Sequence, residues 1–457
     1  MPKIHHEIRD PIHIFVRLDE DELRLIDSEP FQRLRHIHQL ALSYLVYPSA
    51  THKRFEHSLG VMELADRIYN VVTDPGNLTD RIRDLLPQVN KEDARGYWRK
   101  VLRAAALCHD LGHLPFSHAA EHELLPEDWD HETLTAQLIL SPEMRRIWEQ
   151  MTPPLTPEHI VKIAVGPKKA KDQEFSDWEA IVSEIIVGNA FGADRIDYLL
   201  RDSYHAGVAY GRFDHYRLVD TLRILPPPPT PPPGTSTEQL SLLAGMDHEP
   251  DPDEGSEEPM LGVQLGGLQS AEALLIARYF MFSQVYLHPA RRAYDMHLVQ
   301  FLKAWLPEGR FPVDVSGHLR YTDNEVLAGI RSAAREPGAP GHGPARRIHE
   351  RRHFRVLYRS TPDDIEVNPN AGEVIYDAAR ERFGAENVLR DQYRPGSSAP
   401  DFPVWMQQAE HSYSAHSLSQ PLRNLPPTVV DFVYVAPELA RKAHRWLTEH
   451  RKRLIRP

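Results

Sequence analysis

The chain has 457 residues, 41% hydrophobic and 26% charged, with a formal net charge of −12. This is the balance of a globular protein that can bury a core, so disorder over the whole length is excluded, and the net acidity argues against coating nucleic acid with the entire surface. The single cysteine, Cys108, excludes a disulfide framework and a cysteine-based zinc cluster. No run of 18 uncharged apolar residues offers a membrane span.

MPKIHHEIRDPIHIF carries charges throughout and no apolar h-region, so it does not read as a secretory signal, and a cytoplasmic location is expected. From about residue 20 to 225 the spacing is helical. FQRLRHIHQLALSYL places Phe31, Leu34, Ile37, Leu40 and Ala41 at three- and four-residue steps, which predicts an amphipathic helix. HSLGVMELADRIYNVV, YWRKVLRAAALCHD, DWEAIVSEIIVGN and GADRIDYLLRDSYH repeat that pattern. Residues 226–260 break it: PPPPTPPP runs into an acidic stretch that holds too little apolar surface to offset its ordering entropy, so a flexible insertion is predicted. Helix resumes in GGLQSAEALLIARYFMFSQVYLHPARRAYDMHLVQFLKAW. Near the C-terminus FRVLYRS and TVVDFVYV predict strands, while GEVIYDAARERFG and APELARKAHRWLTEHRKRL predict helices. The fold class expected is mainly α: a helical core over 1–225, the insertion at 226–260, a helical continuation over 261–335 and a smaller α+β unit over 336–457.

The 26 histidines stand out, because imidazole carries metal and proton chemistry near neutral pH. The sharpest motif is CHDLGHLPFSH, with His109 and Asp110 adjacent where Gly112 ends an Ala/Leu-rich helix. A lone His-Asp pair is more often a surface or capping pair. Here His113, His118 and His131 follow within 22 residues, a clustering that apolar packing does not call for. His57 in RFEHSLG and Asp194 in FGADRIDYLLRDSYH complete two imidazoles and two carboxylates, a nitrogen and oxygen set suited to Mn, Fe, Ni, Zn or Mg. Asp194, Tyr198, Asp202 and His205 are spaced 4, 4 and 3 and share a helical face, with Ile196, Leu199 and Leu200 opposite; Arg201 and Ser203 read as an ordinary solvated face.

These blocks resemble the HD-domain phosphohydrolases, and within them the deoxynucleoside-triphosphate triphosphohydrolases. DPIHIFVRLDEDELRLIDSEPFQRLRHIHQLALSYLVYPSATHKRFEHSLGV, CHDLGHLPFSH, ADRIDYLLRDSYHAGVAYGRFDHYRL and LHPARRAY carry the likeness, which runs over roughly residues 8–300, with no SAM domain expected ahead of it. The resemblance implies that one divalent metal is held by His57, His109, Asp110 and Asp194, with a further Mg accompanying the nucleotide. It implies catalytic roles for His113, His118, Glu121 (where relatives have Asp) and His131, the last protonating the leaving group. It places Gln39 and Asp202 at the sugar 3′-hydroxyl, Leu40 and Tyr198 against the 2′ position, Tyr294 near the sugar, and Arg54 and Arg195 at phosphates. An arginine that grips the outer phosphates in relatives falls on Val285 or Tyr286 here.

The implied activity is hydrolysis of dNTPs to deoxynucleoside and inorganic triphosphate. The implied regulation is a GTP or dNTP activator read by Asp27, Gln32, Arg35 and Arg217 in a homo-oligomer, a dimer or tetramer. By spacing alone, Gln32 and Arg35 are the solvated face of a helix. The rival readings are an HD hydrolase for another phosphoester, such as a nucleoside monophosphate or cyclic nucleotide, and a non-catalytic nucleotide- or single-strand-binding regulator. The C-terminal basic helix is a solvated face or a contact for nucleotide, nucleic acid or another subunit.

Overall fold

The computed structural model describes residues 6–117, 121–226, 258–394, 399–407 and 411–456. The chain is mainly helical, as expected, with three small sheets among the described residues. It opens with an antiparallel hairpin, β1 (His6–Asp10) and β2 (Ile14–Leu18), whose Val16 and Leu18 enter the core. Two short helices follow, α1 (Glu20–Ile26) and α2 (Glu29–Arg33).

The single helix predicted over FQRLRHIHQLALSYL does not form. Helix α2 stops at Arg33, and Leu34–His36 and Ala41–Leu45 are separate 3₁₀ turns. Between them the backbone is extended at Ile37 and bonds to a distant segment, Gln39 N–H to the His52 carbonyl at 3.0 Å and Arg54 N–H to the Ile37 carbonyl at 3.0 Å. These long-range bonds replace the helical ladder, and Ile37, Leu40, Ala41 and Leu42 are all buried, so the apolar period did not mark a one-sided helix.

The helices that position the site are α3 (Arg54–Val72), α4 (Glu92–Cys108), α5 (His131–Ile139), α6 (Asp177–Val187) and α7 (Ala193–Ala206). Helix α3 starts where Glu56 reaches back to accept from Lys53 N–H at 2.6 Å, and α6 starts at a Ser176/Glu179 capping box. Helix α3 packs along α4 and crosses α7, which rests on α6. Leu59, Met62, Leu102, Ala105, Ile181, Ile185, Ile196 and Leu199 form part of one continuous core between them.

Next come α8 (His215–Thr221), β3 (Leu222–Leu225), β4 (Met260–Gln264), α9 (Leu268–Met281), α10 (Pro289–Trp305), α11 (Asp323–Arg335) and α12 (His342–His349). Of the predicted insertion, residues 227–257 lie outside the described residues, and its last residue already belongs to β4. The remaining elements are β5 (Arg355–Arg359), α13 (Ala371–Phe383), β6 (Val388–Tyr393), β7 (Pro403–Met406), β8 (His411–Ser414), β9 (Val430–Val435) and α14 (Ala440–Ile455).

The stretch expected as one C-terminal unit is distributed over three places. Helix α12 packs on α10 and α11. Strand β7 joins β4 in parallel, Val263 opposite Val404, to complete a sheet of order β3-β4-β7-β8, and Phe402, Val404, Ala415 and Leu422 belong to the main core. The α+β part consists of the sheet β5-β9-β6 covered by α13 and α14, with Ile375, Ala379, Val433, Val435 and Leu447 in its own core. Strand β9, VDFVYV, is buried throughout because it is the central strand. No helix among the described residues is long and apolar enough to cross a membrane.

Candidate metal centre and active site

Three elements converge. His57 lies on the first turn of α3, His109 and Asp110 follow the last residue of α4, and Asp194 is the second residue of α7. His57 Nε2 is 3.0 Å from Asp194 Oδ1 and 3.7 Å from Asp110 Oδ2; His109 Nε2 is 3.4 Å from Asp110 Oδ1 and 3.7 Å from Asp194 Oδ1. Side chains as far as 137 residues apart in sequence are thus brought within 3.7 Å of one another, pair by pair.

The ring orientations are set from behind. His109 Nδ1 donates to the Ala106 carbonyl at 2.7 Å, which leaves Nε2 buried and without a hydrogen-bond partner. His57 Nδ1 donates to Asp197 Oδ2 at 2.7 Å, which aims its Nε2 at Asp194. An orphaned buried ring nitrogen among two carboxylates and a second imidazole fits a divalent cation, and among the described residues His57, His109 and Asp110 meet metal-ligand spacing, as do His113, Glu121 and His131 in the neighbouring cluster.

The electrostatics agree. Burial opposes charge on His57, but hydrogen bonds to Asp194 and Asp197 outweigh it and push its pKa up to about 10. Burial would raise the Asp110 carboxyl, yet Arg54, His109 and His113 hold it well below the usual range; the imidazoles of His109 and His57 do the same for Asp194. Positive charge is therefore favoured at the place that suits a metal.

A second cluster adjoins the first through His113, whose Nε2 is 3.2 Å from Asp110 Oδ1. The His113 and His131 rings stack at 3.9 Å between centroids, and Glu121 Oε1 accepts from both the His131 backbone N–H and its Nδ1 at 2.8 Å. Gly112 makes the approach feasible. A Cβ there would sit 2.2 Å from the His131 carbonyl oxygen and 2.4 Å from Thr135 N, while Gly112 N–H donates to Thr135 Oγ1 at 2.9 Å. Burial lowers the His113 pKa well below 6.5, with Arg54 and His131 adding to it; His131 is buried too, but Glu121 raises it. The two rings are thus pushed in opposite directions, His113 toward the neutral form and His131 toward the protonated one. His118 lies outside the described residues.

The expected phosphate residues fall differently. Arg54 is buried, donates to Ser117 Oγ at 3.0 Å and pairs closely with Asp110. Arg195 follows Asp194, and its Nε and Nη1 are shut off from solvent without a partner. In the expected sugar pocket, Asp202 is held between His52 Nε2 at 2.7 Å and the Tyr286 hydroxyl at 2.8 Å, and Tyr286 packs edge-on to Tyr198. Leu40 is buried, Gln39 Oε1 lacks a partner, and the buried Tyr294 hydroxyl is likewise unpaired above His353.

Of the expected activator residues, Gln32 accepts from Arg35 Nε at 2.8 Å, Arg35 lies 3.5 Å over the Phe55 ring, and Asp27 is exposed. Arg217 donates instead to the Gly266 carbonyl at 3.2 Å and shares no hydrogen bond with them.

Arg201 and Ser203 are fully buried, not solvated. Arg201 binds Asp197 and Asp10, and Asp197, which spacing did not single out, supports His57. Asp197 and Arg201 stand four residues apart, the one local signal that paired them.

The HD domain family matches residues 54–166 and the HD associated region matches residues 256–383. An uncharacterized protein of Methanocaldococcus jannaschii is 35% identical over 63% of this chain and 47% of its own length. Another uncharacterized protein, from Bacillus subtilis, is 30% identical over 64% of this chain and 54% of its own. The deoxynucleoside triphosphate triphosphohydrolase SAMHD1 of Homo sapiens is 33% identical over 48% of this chain and 36% of its length. The chain thus spans about half the length, or less, of these curated relatives. The crystal structure of a hypothetical protein from Aquifex aeolicus matches with a TM-score of 0.70 at 30% identity, over 97% of this chain and 100% of that chain. With the His-Asp turn inside the matched HD domain, the associated region following it and a solved relative aligned end to end, the chain belongs to the HD-domain phosphohydrolase family.

Proposed function

We propose that the protein hydrolyses dNTPs to deoxynucleoside and inorganic triphosphate with one divalent metal held by His57, His109, Asp110 and Asp194. The observation that carries this reading is the junction of the two clusters, the His57, His109 and Asp110 group joined through His113 to a stacked histidine pair in which Glu121 raises the His131 pKa. A divalent cation there supplies Lewis acidity that lowers the pKa of a coordinated water to about 7. The remaining chemistry falls to side chains. His131, backed by Glu121, delivers a proton to the departing 5′-oxygen, help typically worth about 10²–10⁴ in rate. Arg195, whose Nε and Nη1 have no hydrogen-bond partner, takes a phosphate oxygen, and His118 is assigned the place beside the α-phosphate. Leu40 and Tyr198 crowd the 2′ position, so that ribonucleotides are rejected by clash, and Asp202 with Gln39 addresses the 3′-hydroxyl.

The names of the SAMHD1 relatives support the dNTP assignment. Anion-exchange analysis of purified protein with Mn²⁺ or Mg²⁺ and each dNTP tests it. Triphosphate and deoxynucleoside are the expected products; inorganic phosphate, or no turnover with metal bound, overturns the assignment. A second reading, hydrolysis of a nucleoside monophosphate or cyclic nucleotide, is favoured by the lack of an arginine at Val285 or Tyr286, where relatives grip the outer phosphates; Tyr286 is instead tied to Asp202.

Nucleotide activation in a homo-oligomer belongs to the same proposal, with Asp27, Gln32, Arg35 and Arg217 as contacts for GTP or a dNTP. Turnover that appears only in mixtures of dNTPs supports it. A monomer by light scattering, unchanged by dGTP or GTP, removes it.

A further inference from the structure

The N-terminal hairpin reaches the metal centre through buried side chains that the proposed chemistry does not use. His13, in the turn after β1, donates Nε2–H to Asp197 Oδ1 at 2.7 Å, across 184 residues of sequence. Arg201 donates Nε to Asp197 Oδ2 at 2.8 Å and Nη2 to Oδ1 at 2.9 Å. With His57 Nδ1 at 2.7 Å, Asp197 receives four hydrogen bonds, which fills the acceptor capacity of a carboxylate. Asp197 is thereby unsuited to be a metal ligand and suited to fix the ring of one.

The far side is equally closed. Arg201 Nη1 donates to Asp10 Oδ2 at 2.8 Å, while Asp10 Oδ1 accepts from the backbone N–H groups of Ile12 and His13 at 2.8 Å each. Asp10, His13, His57, Asp197 and Arg201 are each no more than 5% exposed. The turn they lock places Ile14 at φ 69°, a conformation unfavourable for a β-branched residue, which persists only where neighbours over-determine it. Helix α3 makes room for the network at Gly60, one turn after His57: a Cβ there would lie 2.1 Å from Asp197 Oδ1 and 2.3 Å from Arg201 Nη2.

We infer that His13 and Asp10 of the hairpin are positioning residues of the metal centre, acting through Asp197 to hold His57 for the cation. This rests on the metal-dependent reading of the site. A carboxylate behind a metal-binding histidine typically contributes about 10–100-fold in affinity, and here the hairpin keeps that carboxylate in place.

The test is Co²⁺ titration of metal-free full-length protein, followed by the visible absorption of bound Co²⁺. His13→Ala is expected to weaken Co²⁺ about tenfold or more and to alter its absorption bands, with His13→Gln, which keeps a donor, recovering part of the loss. Phe15→Ala, on the exposed side of the same hairpin, is the control and should match the wild type. Where His13→Ala fails to show a cooperative melt, Asp10→Asn gives the same comparison without touching Asp197. Wild-type affinity and spectrum in a folded His13→Ala or Asp10→Asn variant overturn the inference alone. Absence of Co²⁺ binding by the wild type overturns the metal reading together with it.

Discussion

With His57 as a metal ligand, as proposed, metal binding displaces the proton of its imidazole, and a measurable pH dependence follows. The pKa of that imidazole is pushed up to about 10 by Asp194 and Asp197 against the cost of burial. It is raised above the ordinary 6.5, so the stability conferred by the proton is fully present below about 6.5 and is lost as the pH climbs through about 10. At pH 6.5 removing the proton costs about 5 kcal/mol, and at pH 8.5 about 2 kcal/mol, at about 1.36 kcal/mol per unit. Asp110 and Asp194 are already ionised over that range and release nothing. Apparent affinity for Mn²⁺ should therefore rise about 100-fold between pH 6.5 and 8.5, with about one proton released per metal. Calorimetry in buffers of different ionisation enthalpy measures both quantities. Affinity that is flat with pH, with no proton released by a protein that binds Mn²⁺, would refute the assignment of His57 as a ligand held protonated in the metal-free state.

Four further outcomes are expected. His109→Ala or Asp110→Ala should abolish both metal content and turnover, checked by elemental analysis and product formation; full activity without metal would sink the site. His131→Ala should cost about 10²–10⁴ in kcat while leaving metal content intact, since His131 sits in the second cluster. Gly112→Ala should destabilise by about 1–3 kcal/mol in thermal melts, because its methyl group meets backbone atoms of α5 that cannot move aside independently. Leu40→Ala or Tyr198→Ala should raise turnover of ribonucleotides relative to dNTPs in competition assays; an unchanged ratio removes these side chains from sugar selection.

Much of this protein was legible along the chain because the relevant signals are local. The helical period of HSLGVMELADRIYNVV and DWEAIVSEIIVGN marks α3 and α6, and the His109-Asp110 pair with its following histidines marks the candidate metal turn. Strand β9 and helix α14 declared themselves in the same way. Where the period misled, long-range contacts were responsible: bonds from Gln39 and Arg54 to distant carbonyls broke the helix predicted at residue 31 onward. Arg201 looked solvated because charge beside a helix usually is, and its partners Asp10 and Asp197 were not visible as partners from spacing alone.

The sequence by itself determined the helical class, the donor chemistry and the candidate ligands, since residue type and spacing decide which atoms can bind a metal. Only the tertiary structure decided how they are used. It brought Asp194 within 3.0 Å of His57, gave Asp197 the hydrogen bonds of His57 and His13, and so linked the hairpin turn to the site. The reason is physical: a buried carboxylate's role depends on how many donors the fold brings to it, and those donors come from segments that share no local pattern.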